Sequence, residues 1–379
     1  MQSWHFSEAA YPFIPDDEES LRVTLPNRYF EPQVAAELWD RYLEEWQLAD
    51  ELGFGVMTNE HHATATCMTS ASPVIAGVLA RITRDARILI LGNPLGTRPD
   101  PVRIAEEMAI VDLLSKGRLE VGMVRAVPFE MSATNANPLS THGRFWEAHD
   151  LIKKAWTTHD GPFSWQGQHF EHRQVNIVPR PFQQPHPPIW MTAGSPNSAI
   201  GIANHGYVMA CFLMGRGGTK RIFDAYRQRR AELEAPAPEA DRFAAAALVC
   251  VADTDEEAME TARKLMWYPR SANQVSTQFL NPPGYVPAAF SARVLRSDRP
   301  IHFDLENATP EQLIEDGSMF AGDPDTVFEQ IRRFSDDVGG FGHLLCMAQA
   351  GHLTREEVAR TLRLFAAEVQ PRLGDLVPV

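Results

Sequence analysis

"PVRIAEEMAIVDLLSKGRLEVGMVR", residues 101–125, carries the reading that decides the fold. An amphipathic, helix-like stretch runs into the apolar, strand-like "RLEVGMV" (118–124), which ends on Arg125. The same unit recurs along the chain. "FGVMT" (54–58) follows "AAELWDRYLEEWQLADEL", and "RILILG" (87–92) follows "SPVIAGVLARI". "PPIWMTA" (187–193) comes after a longer segment, and "YVMACFL" (207–213) follows "NSAIGIANHG". "FAAAALVCV" (243–251) and "FGHLLCMA" (341–348) each follow a helical pattern, and "TREEVARTLRLFAAEV" closes the series as a last helix. These runs are continuous rather than alternating, as strands buried on both faces of a parallel sheet are. With a first strand near residues 2–6 they make eight strand–helix units, which predicts an α/β fold of the (β/α)8 TIM-barrel type. A doubly wound sheet is disfavoured, because no GxGxxG turn follows the first strand.

Bulk properties narrow the function. The chain has 379 residues, 44% of them hydrophobic and 22% charged, with a formal charge of −14. The acidic balance argues against nucleic acid or an anionic membrane as partner. The start, "MQSWHFSEAAYPF", shows no secretory pattern, and no apolar run is long enough to span a bilayer, so the expected location is cytoplasmic. Cys67, Cys211, Cys250 and Cys346 are scattered and read as buried free thiols.

Two stretches interrupt the repeat. Residues 159–180 read as a hairpin with a "WQGQ" turn, covering one end of the barrel. Residues 268–310 lack steady periodicity and read as a lid or binding loop. Neither has linker composition, so a single domain over 1–379 is expected.

In a barrel, chemistry collects at the C-terminal ends of strands. Four successive ends carry unusual residues: "TNEHH", "GNPLG", "VRAVP" and "TAGSPNS". His61 and His62 beside Glu60 could bind metal, brace the fold or move protons. Sequence neighbours rarely chelate together, and a half-buried histidine titrates near neutrality, so catalysis by one of them is the favoured reading. Arg125 needs an anion, which is either a carboxylate of the protein or a ligand. Ser195 and Ser198 open a helix, where they form either an anion site or a plain N-cap. Gly92 permits an unusual backbone before Asn93. The aromatics Trp4, Phe6, Tyr11, Phe129 and Trp190 line a pocket or fill the core.

Taken together, "NEHH", "DPVRIAEEMAIVDLLSKGRLEVGMVR", "PPIWMTAGSPNSA" and the closing "AGDPDTVFEQI…LFAAEVQPRL" resemble the bacterial luciferase-like flavin-dependent monooxygenases, over nearly the whole chain. That family has a TIM barrel, usually as a homodimer. The resemblance implies that reduced FMN, supplied by a separate NAD(P)H:flavin reductase, reacts with O2 to a flavin (hydro)peroxide that oxygenates a small organic substrate. By position it makes His61 the catalytic histidine and Arg125 a ligand of the flavin phosphate. Ala193, Gly194, Ser195 and Ser198 become the phosphate-binding turn, although the light-emitting subunit has an acid where Gly194 stands. Gly92–Asn93 matches a place where the family often has a non-proline cis peptide. Val124 replaces a cysteine of the light-emitting subunit, so bioluminescence is not expected. The competing functions are a deazaflavin-coenzyme-dependent dehydrogenase and a non-catalytic flavin-binding barrel. Specificity is expected in 268–310 and in the loop 126–142 with Asn135 and Asn137, and dimer contacts at helices 69–82 and 101–115.

Overall fold

The computed structural model describes residues 1–272, 274–296 and 307–376. Eleven strands are present among them: β1 (Gln2–Phe6), β2 (Gly55–Thr58), β3 (Ile88–Pro94), β4 (Leu119–Val124), β5 (Phe163–Gln166), β6 (Glu171–Val175), β7 (Ile189–Thr192), β8 (Val208–Phe212), β9 (Phe243–Val251), β10 (Met319–Gly322) and β11 (His343–Met347). Every pairing in the main sheet is parallel. The order β1-β2-β3-β4-β7-β8-β9-β11 closes on itself, because β11 pairs with β1. These are the seven apolar runs of the sequence and the expected first strand, and the barrel is therefore an eight-stranded α/β TIM barrel.

The ninth strand of the sheet, β10, was not foreseen. It lies along the C-terminal half of β9, from Leu248 to Val251, outside the closed ring. Its four residues, "MFAG", are too few to show a period.

The barrel interior is filled by side chains. Trp4 lies edge-on to Trp190 at 5.5 Å and donates its indole N–H to Nδ1 of His343 at 3.2 Å. Trp190 in turn donates to Glu120, which also pairs with Arg87. Gly55 sits in register with Trp4, and a Cβ there would lie 2.4 Å from the Trp4 ring, so only glycine lets the indole lie across the strand. Higher in the barrel, Phe6 meets Phe212 at 5.8 Å. Of the aromatics singled out in the sequence, Trp4, Phe6, Tyr11 and Trp190 are thus core, fully buried.

Outside the ring, helices cover the sheet. Helix Pro101–Leu114 starts where Pro101 fixes the first turn and Asp100 accepts from the N–H groups of Val102 and Arg103. The antiparallel pair β5–β6 lies along helix Thr141–Thr157: Glu147 accepts from Trp165 and from the backbone of Gln168, His169 and Phe170. Within 268–310, where no periodicity was expected, the chain forms short helices at Trp267–Ala272, Thr277–Leu280 and Ala288–Arg296. Residue 273 and the stretch 297–306 of that segment lie outside the described residues. No helix among the described residues is long and apolar enough to cross a membrane. The four cysteines are buried free thiols.

Candidate active site

The C-terminal ends of β1 to β4 and β7 form one mouth. His61 lies three residues beyond the end of β2, with its backbone N–H held by the carbonyl of Thr69. Its Nδ1 stands 2.7 Å from Oε1 of Glu130, which follows β4, and its Nε2 lies 3.8 Å from Oε1 of Glu8, which follows β1. The imidazole is 18% exposed while Glu130 is 1% and Glu8 4% exposed, so the charges face one another with little water between them. Burial pulls the His61 pKa down. The charge and hydrogen bond of Glu130, helped by Glu8, overcome that pull and hold it above its ordinary value. Glu8 is fixed in turn, accepting from the Tyr268 hydroxyl at 2.6 Å and from Nδ2 of Asn59 at 3.1 Å.

His62 points elsewhere. Its Nε2 lies 3.4 Å from Glu60, whose other oxygen accepts from the N–H and hydroxyl of Ser72. Burial raises the Glu60 pKa, but these donors and the nearby Arg98 bring it below the usual carboxylate range. Glu60 ties the β2 loop to helix Ser72–Ile82, and His62 braces it.

Gly92 is the extra residue of a bulge in β3, opposite β4 between Leu91 and Asn93. A Cβ on Gly92 would come within 2.7 Å of Cγ2 of Val124. The expected non-proline cis peptide at Gly92–Asn93 is corrected by the structure: the cis bonds among the described residues are Val178–Pro179 and Gln184–Pro185. The bulge does the re-aiming with a trans bond, carrying the strand on through Pro94 and burying the Asn93 amide against Met108 of helix Pro101–Leu114. Asn93 donates to the carbonyl of Gly122 at 3.0 Å, and its buried Oδ1 has no partner among the described residues.

Arg125 has no carboxylate within ion-pair distance among the described residues. Its guanidinium lies over the Tyr285 ring at 3.7 Å and donates to the Tyr285 carbonyl at 3.0 Å, while the Tyr285 hydroxyl donates to the carbonyl of Ala126. Met123 of β4 pairs with Met191 of β7, so Arg125 and Ala193, two residues beyond, leave the sheet as neighbours. Past Ala193, Gly194 is exposed with open space where a Cβ would stand. Ser195 caps helix Pro196–Ala203: its hydroxyl accepts from the Ser198 N–H at 3.3 Å, and its own N–H donates to the Ser198 hydroxyl at 3.1 Å. The cap and the exposed helix start coexist in one turn.

A sequence profile of the luciferase-like monooxygenases matches residues 21–339. The chain belongs to that family. Its relatives include the oxygenase component of a flavin-dependent trigonelline monooxygenase from Acinetobacter baylyi, 30% identical over 175 residues, or 45% of this chain and 48% of that protein. Another is the N-acetyl-S-alkylcysteine monooxygenase of Bacillus subtilis, 29% identical over 238 residues, covering 60% of this chain and 66% of the relative. The chain spans about half the length of the first curated relatives it matches. Among solved structures, the monooxygenase RslO1 of Streptomyces bottropensis superposes with a TM-score of 0.73 at 23% identity, over 98% of this chain and 99% of that one. The oxygenating constituent of 3,6-diketocamphane monooxygenase of Pseudomonas putida gives 0.72 at 20%, over 89% and 94%. At these identities the superpositions speak for the fold alone.

In this luciferase-like monooxygenase the sequence pointed to His61, Asn93, Arg125 and the Ser195 turn, and left out the residues that hold them. Glu8 stands two residues beyond β1, a strand-end acid that barrel logic could have flagged. Glu130 lies in the loop expected to set specificity. Tyr268 and Tyr285 come from the irregular segment, and no local pattern marks either.

Proposed function

We propose that this luciferase-like monooxygenase is the oxygenating half of a two-component system. It takes reduced FMN from a separate NAD(P)H:flavin reductase, uses O2, and places one oxygen atom in a small organic substrate. The observation that carries the reading is the pairing, in one mouth, of a histidine clamped between two buried carboxylates with an arginine that has no acid of its own among the described residues.

The residues suit an FMN molecule. A guanidinium without a carboxylate partner beside an exposed helix start is matched to a phosphate dianion. Gly194 leaves room for backbone approach. Reduced FMN would supply the electrons that activate O2. The chain supplies the rest. Arg125, Ser195 and Ser198 would fix the phosphate end. Glu130 holds a proton on Nδ1 of His61, leaving Nε2 as the atom that gives or takes one. Tyr268 and Tyr285, reaching from the 268–310 segment to Glu8 and to Arg125, close off bulk water. The relative named an oxygenase component supports the same assignment. A homodimer through helices Ser72–Ile82 and Pro101–Leu114 fits the exposed Val74, Ile110, Leu113 and Leu114 there, and the four free thiols suit a reducing cytoplasm.

The test is anaerobic binding of reduced FMN, oxidised FMN and the deazaflavin coenzyme to wild type and to Arg125→Ala. Preference for reduced FMN, weakened about 10²-fold in the variant, is expected from loss of a charge-assisted contact. Preference for the deazaflavin would turn the reading to a dehydrogenase. Rapid NADPH oxidation without a reductase would refute the two-component arrangement.

A further inference from the structure

Arg22 is a buried cation without a carboxylate partner among the described residues. It is 3% exposed, yet its Nε and Nη1 have no hydrogen-bond partner, and it forms no ion pair, among the described residues. A guanidinium buried in this way is strongly disfavoured unless something fills its donors. Its guanidinium covers the Phe129 ring at 4.3 Å, the same ring lies 6.2 Å from the His61 imidazole, and its charge opposes protonation of His61.

The backbone around Arg22 is pinned on both sides. Arg22 bridges to Thr64, Val23 donates to the Ala63 carbonyl at 2.7 Å, and Ala65 donates to the Leu21 carbonyl at 3.0 Å. Leu21 donates to the carbonyl of Gln274 in the irregular segment. Val23, a β-branched residue, is held at φ 65°, and Ala63 at φ 50°. Such conformations are strained and persist where the surroundings enforce them. Arg22 is thus fastened between the His61 loop and the cover of the mouth.

Two carboxylates stand in the same cluster, and neither is within ion-pair distance of Arg22. Glu130 is engaged with His61. Glu8 receives Tyr268 and Asn59 on one oxygen, while its buried Oε2 has no partner among the described residues. The cluster therefore offers unfilled donors of a fixed cation and one unfilled acceptor of a fixed anion, next to His61. A molecule with a carboxylate and a nearby N–H fits both, its negative charge set against that of the guanidinium.

Resting on the flavin reading above, we propose that Arg22 anchors the substrate, and that the substrate is a small organic acid. Its carboxylate takes the Arg22 fork, and an N–H or ammonium on the same molecule takes Oε2 of Glu8. Phe129 backs the guanidinium and keeps its plane fixed, so the bound acid is presented to His61.

Binding of N-acetylglycine, its neutral amide and levulinate (the same shape with CH2 in place of N–H) tests this, together with the three benzoyl counterparts. Ligand-observed NMR and calorimetry on wild type need no turnover and no variant. The acids should bind at least about tenfold tighter than the amides, and levulinate several-fold weaker than N-acetylglycine. Arg22→Gln should abolish the preference for acids and leave reduced-FMN binding intact. Arg22→Lys, keeping charge without the fork, should recover part of it. Equal binding of acid and amide, or no saturable binding of any acid, overturns the proposal. So does acid binding that phosphate displaces and Arg125→Ala removes while Arg22→Gln does not, because the acid then sits in the phosphate site. If acids bind through Arg22 but reduced FMN does not bind, the flavin reading fails and the acid site stands.

Discussion

Replacing Glu130 by Gln changes one charge and almost no volume. Glu130 lies 2.7 Å from Nδ1 of His61. At that separation and an effective dielectric near 20, the gross attraction is roughly 6 kcal/mol. Burial of the imidazolium opposes it, so the net value falls to the range of a charged hydrogen bond, about 1.5–3 kcal/mol. In the wild type the His61 pKa stands above its ordinary value. The stability that His61 contributes is then full below the unfolded pKa and lost as pH rises through the folded one. Without the Glu130 charge, burial is the main influence left and the folded pKa moves down. Glu130→Gln should therefore destabilise most on the acid side of the unfolded His61 pKa, with the difference shrinking as pH rises past the wild-type folded value. It should also shift the His61 limb of the pH–rate profile toward acid and lower turnover about 10- to 10²-fold where the imidazolium is required. The assay is an NMR titration of His61 alongside single-turnover oxidation from pH 5.5 to 9. A titration unchanged in the variant, or displaced toward alkali, would refute the clamp.

Other outcomes follow from packing and burial. Gly92→Ala places a Cβ 2.7 Å from Cγ2 of Val124 and should destabilise by about 1–3 kcal/mol; Val124→Ala, which clears the space, should recover most of that in a denaturation cycle. Simple addition of the two effects would show that the bulge absorbs the methyl. His5 is fully buried with both ring nitrogens unpartnered among the described residues, and burial drives its pKa down to about 4. The unfolded chain takes up that proton first, so folding loses about 2 kcal/mol between neutrality and pH 5 from this residue. His5→Leu should flatten that part of the stability–pH curve, as urea melts at the two pH values would report.

What could be read from the sequence was whatever has a local signature. Seven of the eight barrel strands are mainly apolar runs that announce themselves by burial on both faces, and the first, QSWHF, was placed by the count. The Ser-Pro-Asn-Ser turn is a helix start within four residues. His61 and Arg125 drew notice because a polar residue at a strand end is out of place unless used. Glu130, Tyr268 and Arg22 escaped for the opposite reason. Their meaning comes from partners 69, 260 and about a hundred residues away, and such pairings leave no trace in spacing. The bulge at Gly92 was legible only as a glycine of unusual backbone. Whether the irregularity was a cis bond or an extra residue depends on Val124 across the ladder.

The Trp4–Trp190–His343 plug and the glycine that lets Trp4 lie flat close the N-terminal end of the barrel. A barrel packed solid at its base has no passage through it, so its chemistry is confined to the rim where the strands end. The floor then acts as a rigid footing: the loops of the mouth can rearrange around a ligand while the strand ends that carry them keep their spacing.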